Sequence, residues 1–102
     1  MSFTKQLQAL TAAIDDPKLR FEVMKTLSFL KDVYASGKMR DEQLISDVKE
    51  VCEMAIALAA PDLAEDEIRE KAAAVAEEIV KSIKLECLFR RTLTRLRPTP
   101  LL

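Results

Sequence analysis

With 102 residues, one glycine and five aromatics, the chain has room for a single domain and too few turn-forming and β-favouring residues for a sandwich or barrel. Apolar residues at 49% and charged residues at 32% exclude a disordered chain, so the expected class is all-α. A net charge of −1 points to no polyanionic partner, and the absence of histidine removes the commonest general base and the commonest transition-metal ligand.

The opening residues, Met1-Ser2-Phe3-Thr4-Lys5, lack the long apolar region of a signal peptide. The longest apolar run, Ala55 to Ala60, is too short to span a bilayer, and no membrane association is expected. These readings place the chain in the cytoplasm, with Cys52 and Cys87 reduced. Asparagine is absent while Glu and Lys are abundant, a composition that leans towards a thermophile.

Ser2 is placed to cap a first helix, and Phe3, Leu7, Leu10 and Ile14 follow at spacings that share one helical face. Asp15-Asp16-Pro17 ends this helix and opens the next. Asp16 serves as N-cap, and Pro17 takes the first helical position, where its missing N–H costs nothing. The second helix is predicted over 17–35. Leu19, Val23, Leu27, Leu30 and Tyr34 form its main stripe, widened by Phe21, Met24, Phe29 and Val33. That width predicts burial on more than one side and the central place in the bundle. Ser36-Gly37 ends it, Gly37 supplying a left-handed conformation.

Asp41 is the predicted N-cap of a third helix reaching about Ala59, with Glu42 well placed against the helix dipole. Leu44, Val48, Val51, Ala55 and Leu58 form one stripe, and Ile45, Cys52, Ile56 and Ala59 form its neighbour. Pro61 ends the helix, since the residue before a proline avoids helical geometry.

From Ala64 to Leu96 the chain runs without Gly or Pro, acidic at its front (Glu65, Asp66, Glu67, Glu70) and basic at its back. Ile68, Ala72, Val75, Ala76, Ile79 and Val80 make a stripe rich in small residues, which permits close helix approach. Ile83, Leu85, Cys87, Leu88 and Phe89 leave only Lys84 and Glu86 polar, the pattern of a segment buried on several sides. Residues 1–97 form one helical domain in this reading, and 98–102, with Pro98 and Pro100, a short non-helical tail. An unbroken helix over this stretch measures about 50 Å, against a radius of gyration of about 13 Å for a compact domain of this length. Either it breaks near 82–84 and folds back, or another subunit covers the overhang. The expected architecture is a small four-helix bundle with a long C-terminal helix. The favoured cover is a second copy in a homodimer, because closed two-fold pairs are the commonest oligomers. Antiparallel pairing would set one copy's basic end beside the other's acidic start.

Leu85, Leu88, Phe89, Leu93 and Leu96 are the predicted contact surface, for a second copy or another protein. From Lys81 to Arg97 six basic residues face one acid, Glu86, a net +5; with −1 for the whole chain, the first eighty residues carry −6. Arg90, Arg91, Arg95 and Arg97 are therefore candidates for phosphate contacts with nucleic acid. The competing explanation is that bases at a helix C-terminus and acids at its N-terminus both suit the macrodipole. Acid pairs such as Asp47 with Glu50, Glu50 with Glu53 and Glu67 with Glu70 lack the Glu-x-x-His partner of a di-metal bundle and read as solvated faces. A single glycine excludes a Gly-rich phosphate loop. No cofactor, no metal and no catalysis are expected.

Cys52 and Cys87 read as small core hydrophobes, with a bridge between them as the alternative in an oxidising or hyperthermophilic setting. The turn from Ser36 to Leu44 has a helix-turn-helix outline. Its second helix, however, carries Asp41, Glu42, Asp47, Glu50 and Glu53 against Lys49, and phosphates would repel it. The expected function is a non-catalytic interaction or assembly module, with nucleic-acid binding through the basic segment as the alternative.

Overall fold

The computed structural model describes residues 2–96, with side chains for 2–88. Four helices follow one another: α1 (Phe3–Thr11), α2 (Pro17–Ala35), α3 (Asp41–Ala59) and α4 (Glu65–Leu96). They form an all-α four-helix bundle, with no strand among the described residues.

Local chemistry sets most of the boundaries. The Ser2 hydroxyl accepts the Lys5 N–H, and the Asp16 carboxylate accepts the Lys18 N–H at 2.9 Å, each satisfying a donor that a helix start leaves free. Gly37 has φ +82°, the left-handed conformation that stops α2 and that a side chain would resist. α1 stops at Thr11, one turn earlier than the apolar spacing predicts. The Thr11 hydroxyl donates to the Leu7 carbonyl at 2.8 Å, and the Ile14 N–H donates to the Thr11 carbonyl. Ile14 is buried all the same, from a turn whose own carbonyl receives the Arg20 guanidinium at 2.6 and 3.2 Å.

The central place belongs to α3 and α4, which make the most extensive pairing in the bundle. α3 buries Leu44, Val48, Val51, Cys52 and Ala55; α4 contributes Ala72, Ala76, Ile79, Val80, Ile83 and Cys87. The alanines hold the two helices close, as small residues at a helix contact allow. The sequence assigns the centre to α2, and there the structure differs. α2 buries only Val23, Leu27 and Leu30, while Leu19, Phe21 and Phe29 stand exposed. Phe21 and Phe29 lie far around the helix from the buried trio, and no other element among the described residues packs on that side. Leu58 and Ile45 of α3 are likewise exposed, because neighbours reach only the middle of its wide apolar face.

α4 is unbroken through 82–84. Its 32 residues span about 48 Å, and the molecule measures 58 × 27 × 22 Å with a radius of gyration of 15.5 Å. Lys84 lies beside Asp41, the first residue of α3, so the α3 partner ends at that level. The helix runs on for eight residues beyond Leu88, about 12 Å of further rise.

Candidate functional site

Two polar clusters tie α4 to its neighbours at Lys84 and Glu86. In the first, the Tyr34 hydroxyl at the end of α2 donates to Asp41 at 2.8 Å, and Lys84 of α4 meets the other Asp41 oxygen at 3.1 Å. Three helices meet on one carboxylate, which these two donors hold below the usual 3.8. Asp41 is thus not the N-cap that its type and position suggest. Arg40 occupies the cap position without a side-chain bond, because the Asp41 side chain is drawn to Tyr34 and Lys84. In the second cluster, Lys31 of α2 pairs with Glu86 of α4 and lies 4.8 Å above the centre of the Phe3 ring. A half-buried ammonium gains here from both the carboxylate and the face of the ring. A hydroxyl-to-amide bond from the buried Ser82 to Gln6 ties α4 to α1 as well.

Around these ties the apolar residues of α4 divide. Ile83 and Cys87 turn into the bundle, whereas Leu85 is 66% exposed and Leu88 60%. The 83–89 segment is therefore not enclosed by its own chain, as its composition suggests. Alternation of this kind follows from helical geometry: residues two apart differ by about 200° around the axis. Ala74, Glu78, Lys81, Leu85 and Leu88 recur at steps of four, three, four and three, and every one is exposed. They trace a seam along the outer side of α4. Of the predicted contact residues, the structure places Leu85 and Leu88 together on this seam. The side chains of Phe89, Leu93 and Leu96 lie outside the described residues, as do those of Arg90, Arg91 and Arg95 and the whole of Arg97.

A second exposed apolar strip lies on α2, where Phe21 is 63% and Phe29 64% exposed. Sequence reasoning misses it by counting both rings into a broad buried stripe. The available signal is Lys25, four residues from each ring, since a charge between two aromatics on one helical face marks a solvated side.

Both cysteines are free and buried. Burial, with the Glu53 charge adding to it, pushes the Cys52 thiol up to about 12, so it stays neutral and acts as a packing group. Asp47 accepts the Gln43 amide at 3.0 Å, and Glu50, Glu67 and Glu70 are exposed. Among the described residues, no three His, Cys, Asp or Glu side chains gather into a group that could hold a metal ion, and no helix is long and apolar enough to cross a membrane. No known family, no curated protein and no solved structure matches the chain.

Proposed function

We propose that the protein is a non-catalytic assembly module that self-associates as a homodimer through the outer side of α4, using Leu85, Leu88, Phe89, Leu93 and Leu96. The observation that carries this reading is the pair Leu85 and Leu88, both well over half exposed on a helix that continues past the rest of the bundle. Fully burying a leucine is worth roughly 1.5–3 kcal/mol. Covering the exposed two-thirds of each therefore recovers about 1–2 kcal/mol per side chain, and a two-fold pair covers four.

Sedimentation equilibrium from micromolar to millimolar protein tests the reading. The expected mass rises to twice 11.5 kDa, and Leu85→Glu with Leu88→Glu holds it at the monomer value. A chain that stays monomeric throughout, and binds duplex DNA in a salt-dependent way, would replace the assembly reading with nucleic-acid binding through Arg90, Arg91, Arg95 and Arg97.

A further inference from the structure

Between α1 and α4 lies an apolar groove that neither helix fills. One part, about 420 Å³, opens beside Ala9, Leu10, Ala74, Val75 and Glu78. A second, about 400 Å³, shares the first four of these residues and continues past Ala13 towards the end of α3. Three of the shared or flanking side chains are single methyl groups, so a helix laid in the groove can approach both walls closely. We propose that this groove receives residues 89–96 of a second copy of the chain, each copy filling the groove of the other. The inference rests on the self-association proposed above and assigns it a receptor.

Three observations support that occupant. The first is placement. Ala74 and Glu78 belong to the same outer seam of α4 as Leu85 and Leu88, so an antiparallel pair meeting on the seam brings each far end over the other's groove. A two-fold axis near Ser82 sets positions 89–96 of one copy against about 68–75 of its partner. The second is charge. Residues 68–78, which this register sets against 86–96, contain three acids (Glu70, Glu77, Glu78) and two bases (Arg69, Lys71), a net −1, with Glu65, Asp66 and Glu67 just before them, whereas 86–96 contain Arg90, Arg91 and Arg95 and one acid, Glu86, a net +2. A parallel pair would set the arginines of the two copies beside each other, so charge favours the antiparallel arrangement. The third is reach. Ala74 and Phe89 lie on one continuous helix, about 22 Å apart along its axis, so the segment cannot fold back into its own groove. Only a second copy can deliver it.

Disulfide trapping between differently substituted full-length chains tests the groove directly. A chain carrying Ala9→Cys, Ala13→Cys or Ala74→Cys is mixed with one carrying Leu93→Cys and oxidised. The expected product is a mixed disulfide of twice the chain mass. Ser28→Cys on the outer side of α2 gives none, and neither does the unsubstituted chain, whose two thiols are buried. Ala74→Arg, at an exposed position, puts a cation opposite the arginines and weakens the dimer about tenfold or more with an unchanged helical circular dichroism signal. A dimer that depends on Leu85 and Leu88, yet gives no groove cross-link and ignores Ala74→Arg, overturns the groove and leaves self-association standing. A monomer at every concentration overturns both.

Discussion

Ile83 and Leu85 sit two residues apart on α4 and point to opposite sides, which makes them a matched pair of probes. Ile83 has no exposed surface, while Leu85 is 66% exposed. Truncating a fully buried isoleucine to alanine removes its transfer energy and leaves a cavity, together about 2–5 kcal/mol. A domain of this length has a total stability of about 5–15 kcal/mol. Ile83→Ala therefore removes a large fraction, and at a urea m-value of roughly 1–3 kcal/mol per molar its midpoint falls by about 1 M or more. Leu85→Ala leaves no cavity in the single chain. At dilute protein its stability stays within about 0.5 kcal/mol of the parent. At concentrations where the dimer forms, folding and association are linked, and the same substitution lowers stability by about 1–2 kcal/mol for each copy. Urea melts of both variants at two protein concentrations give the answer. Equal losses for the two variants at dilute protein would refute the outward placement of Leu85. A Leu85→Ala loss that does not change with concentration would refute its role in self-association.

Other outcomes follow from the polar clusters and the turns. Because Asp41 is held below the usual 3.8 by Tyr34 and Lys84, its contribution is fully present above about pH 4 and is lost as pH falls through the lower folded value. Asp41→Asn should thus be less stable than the parent at neutral pH, with the gap closing in acid; a gap of constant size from neutral pH to strong acid contradicts the assignment. The Cys52 thiol, raised from 9.0 to about 12 by burial, contributes stability that is complete below the unfolded value and is lost as pH climbs towards 12. Iodoacetamide at mildly alkaline pH should leave Cys52 unlabelled in the native chain and label it in urea, and rapid native labelling by mass spectrometry would contradict its burial. Gly37 has open space around the position of a Cβ but a φ of +82°, so Gly37→Ala should cost about 1–2 kcal/mol through backbone strain alone, read as a fall in melting temperature.

The order and rough extent of the helices are legible in the chain because they depend on short-range chemistry. Asp16-Pro17 opens α2 and Gly37 closes it, each through bonds or dihedrals within a few residues, and the 17–35 span holds to the residue. The buried faces of α3 and α4 are legible for a related reason, since Leu44, Val48, Val51 and Ala55 repeat at helical spacing and all are buried. What periodicity does not carry is how much of an apolar face those neighbours cover. Phe21, Phe29 and Leu85 obey the same local pattern as buried residues and are exposed, because no element among the described residues lies on their side of the helix. Nor does residue type reveal a competing partner. Asp41 is a good N-cap by composition, yet Tyr34 and Lys84, brought to it only by the packing of three helices, take its carboxylate instead. The continuity of α4 and the groove beside Ala9 and Ala74 belong to the tertiary structure for the same physical reason: both depend on where helices distant in sequence come to rest against one another.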